Sequence, residues 1–208
     1  MPQGRRSFGS LESARGYKLG EVTSALQKSI RRGQTDDALY WAAELDRSGF
    51  SKYCWKRLRV ITSEDIGPAW PEGPAVIEAL HRTFNDLRKE ERDAPRSSKM
   101  VLMHAVILLA DAPKSRICDV ANIVHYSDDL PRREIPDVAL DQHTSRGRQL
   151  GRGAKHFWTE GTEVANGQPH PLEDTYTPKA IEIRSRPKPK PKPSTQEELL
   201  VFDEEEEG

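Results

Sequence analysis

Between Lys18 and Val124 the apolar residues recur at helical spacing in six successive segments. A chain patterned in this way is confined to packed helices. Val22, Leu26 and Ile30 define the first, with Gly33 as its stop. Asp36 or Asp37 is placed to cap a second, whose apolar side holds Leu39, Ala42 and Leu45 beside Tyr40 and Trp41, until Ser48 and Gly49 end it. A third begins at Ser51, carries Tyr53, Cys54, Leu58 and Ile61, and stops at Ile66, Gly67 and Pro68. Pro74 suits the first turn of a fourth, marked by Val76, Ile77, Leu80, Phe84 and Leu87. The fifth, SKMVLMHAVILLA, is apolar on most sides and belongs at the bundle centre, with His104 as a hydrogen-bonded core residue. After Pro113, Ile117, Val120, Ile123 and Val124 predict a short sixth helix.

One core is expected from 208 residues. With 35% hydrophobic and 31% charged residues, part of the chain must stay outside that core. Residues 1–16 mix Gly, Ser and Arg without periodicity and read as a flexible arm; the helical domain then covers 17–166. Within it, VALDQHTSRGRQLGRGAKHFWTEG reads as an ordered basic extension packed on the bundle, with one short helix around Ser145 to Leu150. Residues 167–193 form a Pro/Lys-rich linker in which RSRPKPKPKP favours polyproline II, and 194–208 form an acidic, extended and disordered tail. Removing those acids from a net charge of -1 leaves the folded part basic, which admits nucleic acid as a partner. Cys54 and Cys118 form no CxxC pair and read as buried free thiols. Neither a signal peptide nor a membrane span is legible, so a cytoplasmic location is expected.

Two segments carry binding chemistry. His143, Arg146, Arg148, Arg152, Lys155 and His156 alternate with Gly147, Gly151 and Gly153 and precede Phe157 and Trp158. Glycines let backbone amides approach an anion, arginines bind it in bidentate fashion, and rings stack on unpaired bases, so these six are candidate DNA contacts. In the tail, Gln196, Leu199 and Phe202 fit Q-x-x-L-x-x-F, similar to the peptide that partners insert into a sliding clamp; Asp203 stands where that pattern has a second aromatic. The overlapping ELLVF also resembles the bacterial clamp-binding pentapeptide, with Glu198 where that peptide has glutamine. The histidines and aspartates show no HExxH or other paired spacing, so no metal or cofactor is assigned.

The stretch DDALYWAAELDRSGFSKYCWKRLRVITSEDIGPAWP resembles the C-terminal region of the AAA+ family that includes bacterial replication-associated recombination protein A (MgsA) and eukaryotic Werner-helicase-interacting protein. Asp37 to Trp41, then Arg57 and Leu58, then Ser63 to Gly67 match its motifs in order; ALQKSIRRGQ and LADAPKS fit the same pattern, and together they cover roughly residues 20 to 165. The resemblance implies a mainly α bundle similar to the clamp-loader C-terminal collar, used in that family for oligomerisation in DNA replication and repair. It does not imply ATP hydrolysis, because the family's ATPase module precedes this region and the chain has no GxxxxGK[ST] loop.

The expected protein is therefore a non-enzymatic homo-oligomer associated with DNA, and its further partners are a sliding clamp or a separate AAA+ ATPase. Alternatives are a monomeric nucleic-acid-binding or clamp-adaptor protein and, with less support, a metal-dependent hydrolase. Ser63, Glu64, Asp65 and Gly67 read as a cap and turn at a helix end, or else as a subunit contact in which Arg57 and Arg59 face Glu64 and Asp65.

Overall fold

The computed structural model describes residues 11–91 and 96–186. The fold is mainly helical, as the periodicity requires. Among the described residues the one β-type pairing is the isolated bridge between Glu12 and Lys18. Contacts divide the chain between Pro131 and Arg132 into two compact units.

The first unit contains α1 (Leu19–Arg31), α2 (Thr35–Arg47), α3 (Ser51–Ile61), α4 (Gly73–Glu90), α5 (Ser97–Asp111) and α6 (Ile117–His125). α1 and α2 form a hairpin turned at Gly33, whose φ of 68° is open to glycine at little cost. Asp36 and Asp37 lie inside the first turn of α2, where acids favour the helix dipole, rather than at the cap. α5 packs on α2 and α4, and α3 crosses α1, α2 and α4. Leu26, Ile30, Leu45, Leu58, Ile61, Leu102 and Leu109 fill the centre with no exposed area. Trp55 is the largest side chain in this core; it stacks on His81 at 5.0 Å and leans on Phe84 at 5.2 Å. Leu39 and Trp41 are only partly buried against it.

Several expectations are revised. Residues 11–16, assigned to the flexible arm, form a tight turn with Tyr17: the Leu11 carbonyl accepts Leu19 N–H at 2.9 Å, Ser48 Oγ accepts Ala14 N–H at 2.8 Å, and Glu44 Oε1 accepts Arg15 N–H at 3.0 Å. α5 buries one face and exposes Met100, His104 and Ile107, because α2 and α4 cover it from one side only; His104 is not a core residue. Cys54 is buried, and burial pushes its thiol pKa up, whereas Cys118 is exposed.

The second unit holds α7 (Ser145–Gln149), the one-turn α8 (Ala154–His156) continued by a wider turn over Phe157–Gly161, and α9 (Glu173–Ser185). α9 lies inside the segment read as linker. Its start is fixed by Glu173 Oε1 accepting His170 N–H at 2.8 Å and His170 Nδ1 accepting Leu172 N–H at 3.2 Å, and Arg186 pairs with Glu182 near its end. No helix among the described residues is long and apolar enough to cross a membrane.

Candidate functional site

The element SEDIG does not end a helix as a simple cap. α3 continues into a wider turn over Thr62–Ile66, which closes at Gly67 with φ 52°. A Cβ on Gly67 would lie 3.0 Å from the Ser115 carbonyl oxygen, so glycine here lets the segment before α6 lie directly on the turn. Ser115 N–H donates to the Asp65 carbonyl at 3.0 Å and fastens the two.

That turn points Asp65 inward. Its side chain has no exposed area; Oδ1 accepts Arg31 Nε at 2.5 Å, Oδ2 accepts Gln27 Nε2 at 3.0 Å, and Arg116 Nε approaches Oδ1 to 3.8 Å. The hydrogen bond that Arg31 donates to Asp65 raises the Arg31 pKa above its ordinary value. Arg31 also reaches Glu64 at 3.2 Å, and Arg57 bonds Gln27 Oε1 while standing 4.0 Å from Glu64. Arg59 pairs instead with Glu78 on α4 at 3.3 Å. The four residues expected to face a neighbouring subunit thus separate. Asp65 is an internal counter-ion joining α1, α3 and the segment before α6, while Arg57 and Glu64 are half-buried and Arg59 is exposed, each with a partner inside the chain. Arg31 and Gln27, which complete the cluster, lie more than thirty residues earlier. Only the helical periodicity of α1, which places 27 and 31 one turn apart, could have paired them from sequence.

Beside the cluster runs an open groove of about 750 Å³, lined by Lys56, Arg59 and Val60 of α3, Ser63 and Glu64 of the turn, and Cys118, Asp119 and Asn122 of α6. It mixes charges of both signs. Nothing in it resembles a nucleophile with its base, and among the described residues no group of His, Cys, Asp and Glu could hold a metal ion.

The second candidate lies in the other unit. Asp141 Oδ1 accepts His143 N–H at 2.9 Å, the Asp141 carbonyl accepts the Thr144 hydroxyl at 3.1 Å, and Thr144 Oγ1 caps α7 by accepting Gly147 N–H at 2.9 Å. The hydrogen bond from the His143 ring, 2.9 Å from Oδ2, holds the Asp141 carboxyl below its ordinary range. Gly147 packs so tightly that a Cβ would fall 1.8 Å from the Asp141 carbonyl oxygen. Around this loop the basic residues divide by role. Arg148 donates to the Gln142 and His143 carbonyls at 3.2 Å. Arg152 Nη1 donates to the Asp137 and Leu140 carbonyls at 2.7 and 3.0 Å, and its Nη2 reaches both oxygens of the Asp137 carboxylate at 2.6 Å. Both guanidinium groups stitch their own loop together. His143 meets Phe157 edge-on at 5.0 Å, and His156 faces Glu160 at 3.5 Å. Arg146 and Lys155 are exposed, and among the described residues neither side chain has a hydrogen bond or an ion pair. Gln196, Leu199 and Phe202 lie outside the described residues.

Compared with known proteins, residues 33–197 match a family model described as MgsA AAA+ ATPase C terminal. The chain is 34% identical over 169 residues to replication-associated recombination protein A of Bacillus subtilis, covering 76% of this chain and 38% of the relative. It is 31% identical over 168 residues to the protein of that name from Haemophilus influenzae, covering 77% and 36%. An ATPase WRNIP1 from Dictyostelium discoideum is 28% identical over 167 residues, covering 74% and 18%. The chain spans little more than a third of the length of the bacterial relatives it matches.

Proposed function

The chain belongs to the family of MgsA AAA+ ATPase C-terminal domains, and on that premise we propose that it is a non-catalytic helical assembly module acting with DNA in replication, recombination or repair. The observation that carries this reading is the match over 33–197 to the part of the family outside its ATPase module, on a fold that is mainly helical among the described residues. Copies of the chain associate through the first unit, whose surface retains Arg57, Arg59 and Glu64, and a separate AAA+ ATPase supplies any nucleotide hydrolysis.

DNA contact belongs to the second unit. Arg148 and Arg152 shape its loop, and the unpaired cations of Arg146 and Lys155 meet phosphates. The clamp peptide at Gln196, Leu199 and Phe202 adds a tethered contact, and deleting residues 194–208 abolishes any clamp binding the full chain shows. A monomeric DNA-binding adaptor is the second reading, favoured by the free cations of that loop.

The test pairs two readouts on the purified full chain. Incubation with ATP and magnesium releases no phosphate, while forked DNA is retarded with a steep salt dependence. Phosphate release that survives repurification would overturn the non-catalytic assignment, and forked DNA left free at low salt would overturn the DNA assignment.

A further inference from the structure

α6 is amphipathic, yet its apolar side is turned away from the bundle. Ile117, Val120, Ile123 and Val124 are 55, 50, 66 and 47% exposed. Its polar side, with Cys118, Asp119 and Asn122, faces the groove toward α3. A helix that only completes its own bundle is oriented the other way round. Tyr126 and Leu130, just past the helix end, are exposed as well, so this end of the first unit leaves several aliphatic and aromatic side chains uncovered.

The charges flanking the stripe say what covers it. Lys114 and Arg116 precede α6, and Asp128 and Asp129 follow it. The Lys114 ammonium is held by the Ala110 and Ala112 carbonyls at 2.8 and 2.5 Å, which leaves Arg116 as the available cation of these two before the helix. Arg116 bonds Asp119 through Nη2 and turns Nε toward Asp65 at 3.8 Å, but keeps further guanidinium donors, and its side chain is 47% exposed. The carboxylates of Asp128 and Asp129 are exposed and have no side-chain partner among the described residues. Two such helices laid side by side in parallel would oppose like charges. Laid antiparallel, each Arg116 meets an acidic pair, and the register that sets 116 opposite 128 also sets Val120 opposite Val124. Antiparallel contact opposes the helix dipoles favourably as well. A surface complementary to itself in this sense is the isologous surface of a two-fold dimer.

We infer that two copies of this chain meet through α6, antiparallel across a two-fold axis, with Val120 and Val124 at the centre and Arg116 against Asp128 and Asp129 at each end. The inference rests on the assembly reading above and names the face that serves it.

Light scattering on the full chain and three variants tests it. Val120→Glu with Val124→Glu places charges in the apolar centre and is expected to weaken association by roughly 100-fold or more, halving the mass at a fixed micromolar concentration. Asp128→Lys with Asp129→Lys alters only exposed, unpaired carboxylates; it is expected to keep the native circular dichroism and to weaken association about tenfold, with the loss shrinking at high salt. Met100→Glu with Ile107→Glu, on the exposed side of α5, is expected to leave the mass unchanged. A multimeric parent whose mass is untouched by both α6 variants, or dissociates only with the α5 variant, overturns the α6 interface and leaves the assembly reading standing. A parent that is monomeric at about 100 micromolar removes the assembly reading itself.

Discussion

Asp65 and Arg31, separated by 34 positions, meet at 2.5 Å between a carboxylate with no exposed area and a guanidinium that is 31% exposed. The pair joins the first helix of the bundle to the turn after the third, and the same turn carries the segment leading to α6. A buried charge is stable only while its partner is present. Asp65→Ala removes one side of the pair and leaves Arg31 without its main counter-ion, at a cost of about 3 kcal/mol. Asp65→Asn keeps the shape and costs less, and a double-mutant cycle with Arg31→Met recovers a favourable coupling. Urea denaturation of the four proteins measures it, and additive losses would show that the pair contributes nothing of its own.

Gly147→Ala tests the second unit by itself. With the Asp141 carbonyl 1.8 Å from the new methyl group, the loop over residues 137–153 cannot keep its path. We expect early proteolysis and lost amide protection after Pro131, while the thermal transition of the first unit stays in place. A uniform downward shift of both units would show that they fold as one.

Glu91 sets the N-terminus of α5 by accepting the Ser97 and Ser98 N–H groups at 2.8 and 3.0 Å. A hydrogen bond from the Ser97 side chain, the strongest influence, together with the Ser98 and Ser97 N–H groups, holds its pKa at about 2 against an ordinary 4.5. The folded value is depressed, so the contribution is complete above pH 4.5 and disappears as pH falls toward 2. Glu91→Gln therefore melts below the parent at pH 7, and the gap closes between pH 4.5 and 2. A gap independent of pH would contradict the assignment.

On DNA the two pairs of basic residues should behave differently. Arg146→Ala with Lys155→Ala leaves the loop intact, weakens binding across all sequences and lowers the salt slope by about 2. Arg148→Ala with Arg152→Ala destabilises the second unit first, since the carbonyls of 137, 140, 142 and 143 lose their donors. Fluorescence anisotropy against salt separates the outcomes; an unchanged slope in the first variant would exclude those cations.

The bundle was legible because a period of 3.6 needs only local information. Val22, Leu26 and Ile30, or Leu58 and Ile61, identify their faces without reference to any partner. The direction in which a face points is not local. Ile117, Val120 and Ile123 announce an amphipathic helix, but their exposure depends on where α6 is tethered, at Gly67 and Ser115. Nor does a linear sequence show which carbonyls the loop brings within reach of Arg148 and Arg152. α9 is not legible in the sequence because Thr175, Thr177 and Pro178 are poor helix formers and it buries no stripe; its start depends on hydrogen bonds between His170, Leu172 and Glu173.

The most direct test of the assembly function is the molar mass of the full chain in solution, by size-exclusion chromatography with light scattering over a micromolar concentration series. An assembly module gives a defined mass that is a whole multiple of 23.5 kDa and holds steady across the series. A constant 23.5 kDa up to the highest concentration would contradict assembly as its function and leave the DNA-binding loop as the working part.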